Sequence, residues 1–128
     1  MKGLVKMGVE LISRGKVLCA RLSGDIDHHG AKELRRDIDI AIEENCPSEL
    51  ILDFSAVTFM DSSGIGLVMG RYKLMNERGG TVTVAKTPAY IGKVMRVSGV
   101  GKLAKIVNEY TLPKEDEQEV MKIETTNQ

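Results

Sequence analysis

The chain has 128 residues, 42% of them hydrophobic, enough to bury one real core and too few to divide comfortably into two. Its eighteen basic and eighteen acidic residues cancel to a formal net charge of zero, which removes the electrostatic case for a nucleic-acid or anionic-membrane partner. The start, "MKGLVKMGVELISRGK", has lysines but no uninterrupted apolar run leading to a small-residue cleavage site, and no segment approaches a bilayer span. A single domain over residues 1–128, working in the cytoplasm, is expected.

Taken in chain order, "VELISRG" and "KVLCARLSG" are β-rich runs joined by a polar turn, a hairpin. The period then changes: in "DHHGAKELRRDIDIAIEENC", Ala31, Leu34, Ile38, Ala41 and Ile42 share one helical face, with Asp27 placed as the N-cap. "ELILDF" is apolar at consecutive positions, as a strand buried on both faces should be. From Ser62 a second helix is predicted, with Ile65, Val68, Met69, Tyr72 and Met75 inward and Gly79-Gly80 as its stop. "TVTVA" is a further strand. "TPAYIGKVMRVSG" reads as a third helix with a Thr cap, Pro88 in its first turn and Gly99 at its end. A short strand, "LAKIV", and a last helix opened by "TLPKEDE" complete the chain, with "ETTNQ" frayed.

Two strands followed by alternating helices and strands predict an α/β domain. Its sheet is mainly parallel, opened by an antiparallel hairpin, with about four helices. In such sheets sites form at the carboxyl ends of the strands, where the next helix begins. Both "GDIDHHG" and "FMDSSGIG" fall there. Cys19 and Cys46 are far apart and belong to no CxxC or Cys/His pattern, so neither a zinc site nor a disulfide framework is expected, and Cys19 reads as a core filler.

The "FMDSSGIG" stretch admits three readings. Ser62 or Ser63 should cap the second helix, but a cap needs one serine, not two. Gly66 and Gly70 cost that helix roughly 1 kcal/mol each relative to alanine, which implies a close approach; packing against the sheet is the simpler explanation for Gly70, while Gly64 would leave backbone amides accessible. A nucleophilic serine would need His28 or His29 as its base, yet "DSSG" is not the GxSxG elbow. The adjacent histidines point to different sides of a helix with no third ligand, so no metal is expected. Gly64-Ile65-Gly66 without GxxxxGK[ST] is no phosphate loop.

Together "LSGDIDHHGAKEL" and "FMDSSGIGLVMGRYK" resemble the bacterial anti-sigma-factor antagonists, the anti-anti-sigma proteins of the STAS domain family, and among them the sporulation type. The resemblance covers essentially the whole chain, including its order of elements. It implies that Ser62 is the phosphorylated serine, that Ser63 is its unmodified neighbour, that Asp61 is the acid beside the site, and that Asp27 contributes to the partner surface. His28 and Gly64 belong to the same surface. It also implies a regulator rather than an enzyme, with no resident cofactor. The unphosphorylated form would bind an anti-sigma factor that is also a serine kinase and free a sigma factor. That kinase, holding the ATP, would phosphorylate Ser62, and a phosphatase would reset the switch. A STAS scaffold module of a stressosome-like assembly and, more remotely, a serine hydrolase are the alternatives.

Overall fold

The computed structural model describes the backbone of residues 2–6 and residues 8–114 in full. Six strands form one sheet whose order follows the chain: β1 (Lys2–Lys6), β2 (Val9–Arg14), β3 (Val17–Ile26), β4 (Glu49–Met60), β5 (Thr81–Ala85) and β6 (Lys105–Val107). The β1–β2 and β2–β3 pairs are antiparallel, and the other three are parallel. The predicted hairpin is β2–β3, where Arg14 faces Val17 and Gly15 supplies the positive φ, 57°, that a two-residue loop requires. The strand β1 has no counterpart among the predicted elements. Its "KGLVK" holds only two large apolar residues between lysines, the composition of a short, charge-protected edge strand rather than of a core strand.

Three helices connect the parallel strands: α1 (His28–Asn45), α2 (Ser62–Glu77) and α3 (Ala89–Val97), the last followed by a short 3-10 turn at Val100–Lys102. Right-handed crossovers between strands that are laid down in sequence put all three on one face of the sheet. There the main core forms. Leu18, Leu22, Leu50, Leu52, Phe54 and Val84 of the sheet meet Ile38 and Ile42 of α1, Val68 and Met75 of α2 and Ile91 and Met95 of α3. The α1 face agrees with the predicted one, residue for residue. On α2 the predicted face holds for Val68 and Met75, which are buried, and for Ile65 and Tyr72, which pack partly buried against the core; Met69 is exposed instead, and Gly64, Leu67 and Arg71 are buried. Arg71 is taken inside, where its Nε lies 2.8 Å from Asp39 Oδ1 of α1.

The strand predicted as "ELILDF" continues to Met60, giving β4 twelve residues. Its last part follows β3 through two register irregularities, at Arg21/Ser23 and Gly24/Asp25, which bend the paired ends beside the region of interest.

The other face of the sheet carries a smaller cluster, Ile12, Cys19, Ile51 and Ala85, packed by Val107, Tyr110 and Leu112. Cys19 is the core filler expected of it. The predicted helix from "TLPKEDE" is not found in its described part: Thr111 to Lys114 have no helical backbone, and the remainder lies outside the described residues. Among the described residues the count is therefore three helices rather than four. Residues 110–114 instead cross this face. The Tyr110 hydroxyl donates to Asp53 Oδ2 at 2.5 Å, and Arg14 donates to the Pro113 carbonyl at 3.2 Å. Burial alone would raise the Asp53 carboxyl, but the hydrogen bonds from Tyr110 and from the Ser55 amide outweigh it and hold the group below the usual carboxylate range.

Candidate functional site

The carboxyl ends of β3 and β4 lie side by side, with Ile26 opposite Met60. The Asp61 amide donates to the Ile26 carbonyl at 3.2 Å, so the loop before α1 and the loop before α2 leave the sheet as one unit. Each then ends in an aspartate in extended conformation that caps the next helix. Asp27 Oδ1 accepts from the Gly30 amide at 2.8 Å, and Asp61 Oδ1 accepts from the Ser63 amide at 2.8 Å. Asp27 is the cap predicted for α1. The predicted serine cap for α2 is wrong by one residue: Asp61 occupies that position. A carboxylate suits it physically, because it satisfies an orphan amide and adds negative charge at the positive end of the helix dipole.

That assignment frees both serines from capping. Ser62, first residue of α2, is exposed, whereas Ser63 is half-buried. Ser63 faces a cleft of about 460 Å³ between α1 and α2, lined also by His28, Lys32 and Arg35 of α1 and by Gly66. Asp27 and Asp61 thus lie at the strand ends, and cations line the cleft behind them.

The glycines separate into two kinds. A Cβ on Gly64 would collide with Cγ and Sδ of Met60, and one on Gly30 would lie 2.9 Å from the Asp25 carbonyl oxygen; both positions require glycine for space. Gly64 is buried and its amide donates to the Asp61 carbonyl at 3.0 Å, so it braces the serine turn rather than offering a free amide. A Cβ on Gly66 or on Gly70 would meet nothing within 4 Å. The expectation that Gly70 packs tightly on the sheet is therefore overturned: these two leave the outer side of α2 open.

Neither histidine is joined by a hydrogen bond to Ser62 or Ser63 among the described residues. His29 faces Glu33 at 3.5 Å. No group of three or more His, Cys, Asp and Glu side chains among the described residues could hold a metal ion, and no described helix is long and apolar enough to cross a membrane. Under the cleft's two helices, burial lowers the Arg71 guanidinium and raises the Asp39 carboxyl, each countered by the charge of the other. The 2.8 Å contact between them is off the N–H axis, so charge rather than an aligned hydrogen bond couples α1 to α2.

Sequence reasoning missed Lys32, Arg35, Phe59 and Tyr90. The spacing of positions 28, 32 and 35 is i, i+4, i+7, a helical stripe legible in principle. Phe59, half exposed beside the serines, opens the "FMDSSGIG" stretch itself, whereas Tyr90, whose hydroxyl donates to the Thr58 carbonyl at 3.2 Å, had no local signal because tertiary placement brings it to this edge.

Comparison with known proteins decides the family. The STAS domain model matches residues 9–111. The chain belongs to the STAS domain family. An anti-sigma F factor antagonist from Paenibacillus polymyxa is 34% identical over 102 residues, covering 80% of this chain and 87% of that protein. The STAS fold seen here is also similar to the anti-sigma factor antagonist SpoIIAA in its unphosphorylated form, with TM-score 0.68, 28% identity, and coverage of 92% of this chain and 96% of that one. The phosphorylated form of the Bacillus cell fate determinant SpoIIAA matches with TM-score 0.61 and 30% identity over 90% of this chain and 96% of that one. In this STAS domain the capped strand ends and the exposed Ser62 share one edge of the sheet.

Proposed function

We propose that this STAS domain is an anti-sigma factor antagonist controlled by phosphorylation of Ser62. In its unphosphorylated form it binds an anti-sigma factor that is also a serine kinase, and a sigma factor is freed; this acts positively on transcription, in sporulation. The kinase, which holds the ATP, transfers a phosphoryl group to Ser62 and releases the product, and a serine phosphatase restores it. The domain itself performs no catalysis and works in the cytoplasm. Both SpoIIAA forms named above are similar to this chain, which supports a switch between an unmodified and a phosphorylated state.

The observation that carries the proposal is the exposure of Ser62 at the first position of a helix whose cap is already supplied by Asp61. A hydroxyl with no structural duty, at the positive end of a helix, can be modified without unfolding the chain. Ser63 is the poorer acceptor because it is half-buried against α1. Phosphorylation adds nearly two negative charges next to the Asp27 and Asp61 carboxylates. Where an uncharged hydroxyl had docked, the partner then meets an anionic cluster. The cost in binding is about 3 kcal/mol, roughly a hundredfold in Kd. Asp27, His28, Asp61, Ser63 and Gly64 form or brace the surface that the partner meets.

Intact-mass spectrometry after incubation with ATP and the cognate anti-sigma kinase tests this. One added phosphate on wild type and none on Ser62→Ala is the expected result. An unmodified wild type, with a kinase active on another substrate, would instead favour the scaffold reading of a stressosome-like assembly.

A further inference from the structure

Between Glu77 and Glu109 the chain contains no acidic residue, whereas Lys93, Arg96, Lys102 and Lys105 all lie there. In a protein whose charges cancel over the whole chain, this is a local excess of positive charge carried by α3, the 3-10 turn and β6. Among the described residues none of these four cations is in an ion pair.

The apolar residues of α3 are as unusual as its charges. Its inward face is Ile91, Gly92 and Met95. On the opposite side a helix of a soluble domain ordinarily presents polar residues. Here Tyr90, Val94 and Val97, at i, i+4 and i+7, are 48%, 41% and 80% exposed, interleaved with exposed Lys93 and Arg96. Leu103, 40% exposed, extends the patch past the 3-10 turn. The patch is continuous with the serine edge, since Tyr90 is bonded to the Thr58 carbonyl, Phe59 is half exposed, and Ser62 follows three residues later.

We propose that the outward face of α3, with Tyr90, Val94 and Val97 set among Lys93 and Arg96, is a second docking surface that takes an acidic, apolar patch of the anti-sigma kinase beside its catalytic cleft. The proposal rests on the switch reading above. Charge complementarity selects an acidic partner, and exposed valines and a tyrosine select one that brings apolar side chains to be desolvated. Continuity with Ser62 selects the protein that must reach that serine. Holding α3 and Ser62 at once would fix the serine's orientation in the kinase and explain selection of Ser62 over Ser63.

Calorimetric titration with the cognate anti-sigma kinase, without ATP so that no turnover occurs, tests the surface. Lys93→Glu with Arg96→Glu, and separately Val97→Asp, should each weaken binding at least tenfold, and the wild-type Kd should rise with salt. In the phosphorylation assay the same variants should raise KM and leave kcat unchanged. Lys16→Glu with Arg36→Glu, the same charge change elsewhere on the surface, should bind like wild type. Circular dichroism checks folding; should Val97→Asp melt early, Val97→Ser is expected to weaken binding in the same direction. Variants that bind within twofold of wild type while Ser62→Asp binds weakly would overturn this surface and leave the switch standing. A wild type that does not bind the kinase at all would overturn both. Attachment of wild type, but not of the charge-reversed variant, to phosphatidylserine/phosphatidylcholine vesicles, with kinase affinity unchanged, would assign the patch to a membrane and overturn the proposal.

Discussion

Asp61 and Ser62 divide two duties that one side chain could have combined. Asp61 holds the helix start through the Ser63 amide, so Ser62 is left exposed. Asp61→Ala should therefore lower stability by about 1 kcal/mol in urea unfolding. Asp61→Asn should keep the cap, because asparagine serves it nearly as well, and lose only the charge; its stability should match wild type while its affinity for the kinase changes. The sequence "MDSSG" holds three consecutive residues of types that all cap helices, and only the backbone decides which of them is the last extended one. That is why the motif was legible and its division of labour was not.

At the scale of elements, α2 shows what a sequence conceals. Gly64 and Gly70 are equivalent letters in a helical stretch, yet one is pressed on Met60 and the other has open space. Gly64→Ala should destabilise by about 1–3 kcal/mol through overpacking, and Gly70→Ala should stabilise by up to about 1 kcal/mol through helix propensity; thermal or urea unfolding of the pair measures both signs. The predicted α2 face missed at Met69, which is exposed, and at Arg71, which is buried. Apolar spacing could not reveal that Arg71 would be buried against Asp39 of another helix. By contrast α1, whose apolar stripe is unbroken, was read correctly to the residue.

The segment 110–114 makes a testable contribution of its own. Asp53, depressed in the fold by Tyr110 and Ser55, contributes stability that is fully present above the unfolded carboxylate value of about 3.9 and is lost as pH falls through the folded value. Removing the phenol brings the folded value back up. Tyr110→Phe should thus cost about 1–2 kcal/mol at pH 7, and urea unfolding should show the gap to wild type narrowing as the pH drops below about 4.

At the scale of the whole molecule, the order of strands and helices from Val9 to Val107 followed from alternating periods in the sequence, as did the two strand ends that carry the site. The edge strand β1, with two large apolar residues between lysines, escaped although it pairs with its neighbour β2; the extension of β4 along β3 and the crossing of the second sheet face by Tyr110 and Leu112 escaped because they depend on contacts distant in sequence. These are pairings chosen by the assembled sheet, not by local propensity. The same assembly separates the duties of the domain. The core lies beneath the helices and Ser62, the proposed switch residue, lies on the rim, so its phosphorylation should leave unfolding stability within about 1 kcal/mol of the unmodified protein.

The most direct measurement is the Kd of the cognate anti-sigma kinase for the protein carrying phosphate on Ser62, compared with the unmodified protein under the same conditions. A loss of roughly a hundredfold or more, with the fold intact, is the predicted result. Equal affinity of the two forms would contradict the account, since the charge added at the capped edge would then have no partner to repel.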